Sequence, residues 1–311
     1  MVLRSLLKSW LRQAALDQLQ EKLRQAARAG VSAAQASDSA SDDSRIDPST
    51  EAEADAGAQE AANAACDVAV VFATSSESGG LEDRLTDVVK TRAAGFVIKQ
   101  GSLQGRHLVL AEAGRGQAAA RAAALAVVKG HQPRLMIAAG FASGVSQEIG
   151  RGDILMVDEI VGEDDRRWSL DLNIRPEDLA KVPGTHVGRL VSLDRSLRKP
   201  AEKAQLGIEK KAFAVDRESL AVARACRLEG VPLLAVRVIV DAVEDPLCAV
   251  LDPRIQQQST ARRWGATVGA LINQPGSLKE MVQEKQDLLV ASDRLGRFLS
   301  DIVGQLAAAR D

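Results

Sequence analysis

One stretch, residues 214–245, constrains the fold more than any other part of the chain. Its second half, LLAVRVIVD (233–241), is almost entirely aliphatic and rich in β-branched residues. Such a run is typical of a strand that is buried on both faces, as in a parallel sheet. Small apolar residues in the first half, spaced among Arg and Ser, predict a helix in front of this strand. We therefore predict an α/β protein, a three-layer α/β/α sandwich with a mixed, mainly parallel central sheet.

Two acids stand at the ends of this helix–strand unit. Glu218 lies at the predicted helix start, and Asp241 lies at the carboxyl end of the strand. Open α/β sheets bind their ligands at the carboxyl ends of strands. A carboxylate there is costly to bury unless it is paired, hydrogen-bonded or protonated. Either acid alone has a plain structural explanation, but the two together indicate a candidate site.

The chain divides into three predicted regions. Residues 1–30 have Leu at steps of three and four and an excess of Arg and Lys, which predicts a basic amphipathic helix. That helix can lie on an anionic membrane surface, or it can be solvated or self-associating, and the sequence leaves both open. Residues 31–65 are dominated by Ser, Ala and acids, which predicts a disordered acidic linker. The folded catalytic domain is predicted at 66–311.

Composition excludes several classes of function. The net charge of −2 gives no reason to expect a nucleic-acid partner. The three Cys and three His residues are scattered, so neither a disulfide framework nor a metal site is predicted, and no cofactor. This cysteine usage is typical of a reducing cytoplasm. The sequence has no uncharged apolar run of about 18 residues, the length needed to span a bilayer.

Other segments of the sequence add elements around this unit. CDVAVVFAT (66–74) predicts a strand, followed by a polar turn at 75–80 that carries Glu77 and by a helix from Leu81 to about Val89. AGRGQ (113–117) is a Gly-rich turn before an Ala-rich helix, where backbone N–H groups can bind an anion or Gly can simply allow tight packing. RLMIAAGFASGV (134–145) predicts another buried strand that runs into a small-residue loop.

Five of these segments resemble the nucleoside phosphorylase and nucleosidase superfamily over residues 67 to about 272. They are VVFATSSES, AGRGQAAARAAALA, AAGFASGVSQEIGRGDILMVDE, VDRESLAVARAC and VRVIVD, in the order found in methylthioadenosine/adenosylhomocysteine nucleosidases. LVSLDRSLRKPAEKAQL and INQPGSLKEMV are similar to the hopanoid-associated branch, which is thought to release adenine from adenosylhopane.

The resemblance implies a purine nucleosidase that hydrolyses an N-glycosidic bond and takes a small-molecule or lipid-linked adenosine nucleoside. It also implies a homodimer. A lipid-linked substrate would be met at a bilayer, so the expected location is the cytoplasm, with peripheral contact to the inner membrane face through residues 1–30.

Residue roles are carried over only where this sequence matches the motifs. The resemblance implies that Asp241 protonates N7 of the purine and that Glu77 orients or deprotonates the attacking water. It implies that Glu218 hydrogen-bonds the ribose hydroxyls. The substrate-binding residues that it implies besides Glu218 are Gly140, Phe141, Ala142, Asp194 and Arg217.

The chemistry of the reaction calls for the same division of labour. Cleaving the bond leaves positive charge on the sugar and negative charge on the base, so an acid at the base and a carboxylate near the sugar both help. The apolar strand around Asp241 is expected to raise its pKa by desolvation. Glu77, in a wetter turn, is expected to stay ionised.

The sequence departs from the family pattern at several positions. Arg217 stands where the family usually has Met, Phe141 where it has Ser or Thr, and Val240 where it has Ser. Ala138 replaces the Arg that precedes this loop in phosphorylases, which leaves Arg115 as the nearby phosphate candidate. Three hypotheses therefore stay open: a nucleosidase, a phosphate-dependent phosphorylase, and a nucleoside-binding relative without catalysis.

Overall fold

The computed structural model describes residues 65–93, 95–170, 182–248 and 275–308. The predicted N-terminal helix (1–30) and nearly all of the predicted linker (31–65) lie outside these ranges. Their structure and their membrane contact therefore stay predictions. Within the described residues no helix is both long and apolar enough to cross a membrane.

The described ranges contain ten strands and five helices. In chain order they are β1 (Val68–Phe72), α1 (Ser75–Glu82), β2 (Thr86–Ala93), β3 (Phe96–Leu103), β4 (Arg106–Glu112), α2 (Gln117–His131), β5 (Leu135–Gly144), β6 (Ile154–Val161), β7 (Arg167–Ser169), β8 (Thr185–Ser192), α3 (Pro200–Lys210), β9 (Ala214–Asp216), α4 (Ser219–Glu229), β10 (Leu233–Asp241) and α5 (Pro275–Ala308).

A single mixed sheet joins all ten strands. Its centre is parallel, since β4, β1, β5 and β10 are neighbours that run in the same direction. Strands β3 and β2 extend one side as antiparallel neighbours. On the other side β10, β6, β8 and β9 return to β5, so these five strands close into a ring. The predicted α/β class with a mixed sheet is confirmed.

Helices cover both faces of the central strands. Small and aliphatic residues of α2 and α4 pack with one set of alternating strand residues, among them Ala69 and Val71. Helices α1 and α5 pack with the other set, among them Val70 and Phe72. Because successive side chains of a strand point to opposite faces, strands with two covered faces must be apolar throughout. This is why VAVVF and LLAVRVIVD have almost no polar positions.

The predicted turn at 75–80 and the predicted helix from Leu81 to Val89 are both wrong. Residues Ser75–Glu82 form α1, and Thr86–Ala93 form a strand that pairs with β3. Thr74 and Glu77 fit the capping-box pattern, in which a Thr begins a helix and a Glu three residues later bonds back to it. Gly79 and Gly80 obscured this helix in the sequence. Pairing with β3 determined the strand conformation of the β-branched residues in Thr86–Ala93.

Helix α1 is fixed by a close crossing with α5. A Cβ added to Gly80 would lie 2.0 Å from the backbone oxygen of Ser292, and one added to Gly296 would lie 2.2 Å from the carbonyl carbon of Gly80. Ser292 Oγ accepts a hydrogen bond of 3.0 Å from the Gly80 N–H. The two glycines therefore let the helix backbones touch, and this contact sets the position of Glu77 one turn earlier.

We expect Gly80→Ala to lower the free energy of unfolding by about 1–3 kcal/mol, because the new methyl group has no space between the helices. Gly79→Ala is the matched control, since its Cβ would meet only Ser292 Oγ at 3.8 Å. That change is expected to be neutral or to stabilise by up to about 1 kcal/mol through helix propensity. Urea unfolding of the full chain measures both, and equal effects would contradict the proposed role of this crossing.

Candidate active site

Glu77 lies in the first turn of α1, just beyond the carboxyl end of β1, and its side chain is buried. One oxygen, Oε2, accepts hydrogen bonds from the backbone N–H of Thr74 at 2.7 Å and from its hydroxyl at 3.2 Å. The other oxygen, Oε1, accepts a bond of 3.0 Å from the Phe141 N–H on β5. Three donors directed at one carboxylate hold it in a single orientation.

Glu218 caps the start of α4 and points at the Gly-rich turn before α2. Its Oε1 accepts a bond of 2.7 Å from the Gly116 N–H, and its Oε2 accepts one of 3.3 Å from the Arg217 N–H. The anion at this turn is thus a side chain of the protein itself. Burial, and after it the charge of nearby Asp216, raise the pKa of Glu218 to about 7, while the Gly116 bond opposes the change.

Arg237, on β10, is the central cation beneath these acids. Its guanidinium is buried, lies 2.7 Å from Asp216 Oδ2 and donates a bond of 2.8 Å to Ser219 Oγ. A Cβ added to Gly140 would lie 2.6 Å from Arg237 Nη1 and 2.9 Å from Glu77 Oε1. The missing side chain of Gly140 therefore lets a cation on one strand and a carboxylate on a neighbouring helix approach each other.

Asp241 lies at the end of β10, as predicted, and is fully buried. The strand register shifts between Ile239 and Asp241, a bulge that sets Asp241 opposite Ser143 of β5. Asp241 Oδ2 accepts bonds from Ser143 Oγ at 3.0 Å and from the Cys248 N–H at 3.1 Å. Its Oδ1 lies 2.6 Å from Lys203 Nζ, which is equally buried.

A pocket opens at the strand ends where these elements meet. Four of the predicted site residues line it: Glu77, Phe141, Arg217 and Glu218. The other four predicted residues, Gly140, Ala142, Asp194 and Asp241, are not part of its lining. Asp241 is linked to the lining through Ser143, which does face the pocket. Asp194 lies at the protein surface, with its carbonyl oxygen 3.4 Å from Arg217 Nη2.

Three buried polar atoms in this lining lack a hydrogen-bond partner among the described residues. They are Ser196 Oγ, Asp216 Oδ1 and Arg217 Nε. Unsatisfied buried groups are rare in folded proteins and typically have a water or a ligand as partner. The pocket encloses only about 40 Å³, against the several hundred Å³ of a small-molecule site. A nucleoside therefore needs more room than the described residues enclose.

Three arginines, Arg115, Arg195 and Arg217, also line the pocket. Burial lowers the pKa of Arg115, and the nearby Glu77 and Glu218 oppose this. The Arg217 guanidinium does not follow its own N–H toward Glu218 but extends toward Asp194, with Nη2 3.9 Å from the carboxylate. The pocket thus combines acids near its base with cations around its lining.

Sequence reasoning missed several residues of this network, among them Ser143, Lys203, Asp216 and Arg237. Arg237 had a usable signal, because a single guanidinium inside an apolar strand must be paired. Lys203 and Ser143 had none, since a Lys in a polar helix and a Ser in a small-residue segment are ordinary. No group of three or more His, Cys, Asp and Glu side chains placed to bind a metal occurs among the residues that the structure describes.

Comparisons with known proteins show the family and the fold. A family model described as the phosphorylase superfamily matches residues 67–273. The 5'-methylthioadenosine/S-adenosylhomocysteine nucleosidase of Actinobacillus succinogenes is 27% identical over 196 residues, which is 56% of this chain and 85% of that protein. The enzyme of the same name from Bacillus pumilus is 25% identical over 203 residues, with the same coverage of both chains.

Two solved structures show the same fold at lower identity. The nucleosidase of this name from Neisseria meningitidis, in complex with methylthio-immucillin-A, is 19% identical with a TM-score of 0.59 and covers 76% of this chain and 98% of its own. Futalosine hydrolase of Helicobacter pylori is 17% identical with a TM-score of 0.58, covering 77% and 99%. At these identities the likeness concerns the fold.

The raised pKa of Glu218 predicts a pH-dependent cost to stability. A carboxyl group that titrates near 4.5 when unfolded and at about 7 when folded stabilises the protein at low pH, and this contribution is lost as the pH rises toward 7. Glu218→Gln does not titrate there. Relative to the wild type, we expect the free energy of unfolding of Glu218→Gln to increase by about 2–3 kcal/mol between pH 5 and pH 8. Parallel urea-unfolding profiles for the two proteins would contradict the raised pKa.

Proposed function

The chain belongs to the phosphorylase superfamily, and we propose that it is a purine nucleosidase that uses water to release the base from an adenosyl compound. One observation carries the proposal: Glu77 and Glu218 face the same pocket in different environments. Glu77 is held by three donors, whereas burial raises the pKa of Glu218 to about 7. A carboxylate fixed by three donors and a second carboxylate in the same lining are suited to bind a water molecule and a sugar that develops positive charge.

Glu77 is proposed to bind the attacking water. Its carboxylate is fixed against α1 and β5 and adjoins the guanidinium of Arg237. As the oxygen of the water bonds to the anomeric carbon, Glu77 takes a proton from it. The bonding electrons of the C–N bond leave with the base. A positioned general base of this kind contributes about 10²–10⁴ in rate.

Glu218 is proposed to bind the ribose hydroxyls. It faces the pocket from the start of α4, and its two oxygens are oriented by the N–H groups of Gly116 and Arg217. A carboxylate held there also stabilises positive charge that develops on the sugar. Asp216, with one oxygen on Arg237 and the other unpartnered, adds a second acceptor to the same side of the pocket.

Asp241 is proposed as the acid that gives a proton to N7 of the leaving purine. Burial raises its pKa, which favours the protonated form needed for this role. Its link to the pocket is Ser143, so the base must approach on the Ser143 side, or Asp241 must turn toward it. In relatives the residue before this acid is usually Ser; here Val240 stands there, and the hydroxyl comes from Ser143.

The substrate class is proposed from the relatives and from the sequence. The curated relatives are named for methylthioadenosine and adenosylhomocysteine, which makes an adenosyl compound the first choice. The hopanoid-like segments add adenosylhopane. With that substrate the basic helix predicted at residues 1–30 would contact the inner membrane face, and the protein would work in the cytoplasm as a homodimer.

A phosphorylase is the second candidate, and the arginines favour it. Arg115, Arg195 and Arg217 line the pocket, and a cluster of guanidinium groups is suited to bind phosphate. Ala138 weakens this candidate, because it occupies the position of the Arg that precedes the loop in phosphorylases. The two reactions differ in one requirement, the presence of phosphate.

We expect free adenine from at least one of methylthioadenosine, adenosylhomocysteine, adenosine and adenosylhopane when phosphate is absent, measured by chromatography. Asp241→Asn should lower the rate about 10²–10⁴-fold by removing the proton donor. Asp165→Asn, the same change at an exposed position paired with Lys210, should leave the rate unchanged. Release only with phosphate would favour the phosphorylase, and no release from any substrate would contradict catalysis on adenosyl compounds.

We expect Arg217→Met to raise kcat/KM for methylthioadenosine about 10-fold, equivalent to about 1.4 kcal/mol of transition-state binding. The change replaces a guanidinium whose buried Nε has no described partner with an apolar side chain that can pack on the sugar. Arg224→Met removes an arginine on α4 that contacts Trp168 outside the pocket, and it should have no effect. A loss of activity in Arg217→Met would show instead that the substrate needs this cation.

A further inference from the structure

The best-defined contact near the proposed site is an ion pair that the mechanism above does not use. Lys203 of α3 lies with its Nζ 2.6 Å from Asp241 Oδ1 and also donates to the carbonyl oxygen of Ala242. Neither side chain of the pair has appreciable contact with solvent. On the same helix Ile208 is 80% exposed, whereas Lys203 is fully buried. Helix α3 thus directs a charged residue inward and an apolar residue outward.

Fold stability is a poor explanation for this arrangement. Removing two charges from water costs about as much as their attraction returns, so apolar replacements of buried ion pairs are often neutral or stabilising. Lys203 is also not part of the pocket lining, so it is not placed to bind a substrate there directly. What it contacts is the carboxylate proposed as the acid.

We propose that Lys203 is the positioning residue of Asp241: it holds Oδ1, leaves Oδ2 to the Ser143 side of the pocket, and sets the charge that Asp241 carries. The inference rests on the proposed function of Asp241. During cleavage one proton passes from the Asp241 carboxyl group to the leaving base, which takes the electrons of the C–N bond. The carboxylate left behind is then neutralised by the Lys203 ammonium group.

Two opposing influences act on the pKa of Asp241. Burial raises it, while Lys203, the Cys248 N–H and the Ser143 hydroxyl lower it. The other charged and titratable groups near Asp241 have partners of their own: Arg151 pairs with Asp245, and the Cys248 thiol contacts Glu284. Lys203 is therefore the one described cation in direct contact with Asp241, and removing it leaves burial largely unopposed.

The first test is the pH dependence of adenine release by the full chain with methylthioadenosine, for wild type, Lys203→Met and Lys203→Arg. Activity is expected to fall at high pH as Asp241 loses its proton. Lys203→Met should move this alkaline limb upward by about one pH unit or more, because an adjacent opposite charge shifts a carboxyl group by about that amount. Lys203→Arg keeps the charge and should leave the limb in place.

Lys210→Met is the matched control, because it removes an amino group of the same helix that pairs with exposed Asp165. It should leave the limb unmoved. If the wild type releases adenine and Lys203→Met has an unmoved limb, the inference is overturned while the proposed function stands.

A second test does not depend on turnover. In Lys203→Met the buried Asp241 should take up a proton on folding, so stability should be highest at low pH and be lost as the pH rises above about 4. As the pH rises, the equilibrium constant for unfolding of Lys203→Met should increase by up to about 10-fold per pH unit. Lys203→Met/Asp241→Asn should lack this increase, because its residue 241 does not titrate. Equal pH profiles of these two variants would overturn the inference whatever the adenine assay shows.

Discussion

The guanidinium of Arg237 is the interaction on which the site depends. It is buried in the middle of β10, pairs with Asp216 at the end of β9 and bonds Ser219 at the start of α4. Because a lone buried charge is very costly, these three elements must meet in one arrangement. The same cation adjoins Gly140 and Glu77, so the pairing that joins strand and helix also places carboxylates around one pocket.

The acids of the site differ in the groups that contact them. Glu77 accepts three hydrogen bonds, two of them from its own helix cap. Glu218 accepts two and stands beside Asp216, so burial and repulsion dominate its pKa. Asp241 is buried deeper and has an ammonium group as a direct partner. Three residues of the same chemical type thus have three different sets of partners, which differ in the number and charge of their donors.

Glycine has a particular use around these acids. Gly80 and Gly296 allow α1 and α5 to touch, which fixes the helix that carries Glu77. Gly140 leaves the space in which Arg237 and Glu77 approach, and Gly116, with φ of 86°, turns its N–H toward Glu218. At Gly80, Gly140 and Gly296 a side chain would occupy the space that a backbone or a charged group needs, whereas at Gly116 the positive φ would strain any other residue. The site depends on absent side chains as well as present ones.

The amino-acid pattern by itself determined the α/β class, the buried strands β1, β5 and β10, and the placement of Glu77, Glu218 and Asp241 at element ends. Periodicity and strand ends are local properties, so they are readable from the chain. Tertiary structure decided that Thr86–Ala93 is a strand, that Gly80 faces α5, and that Lys203 and Ser143 reach Asp241. The strand pairs with residues 3 to 16 positions away. The contacts of Gly80 and Asp241 involve partners 38 to 212 positions away, and no local pattern carries that information.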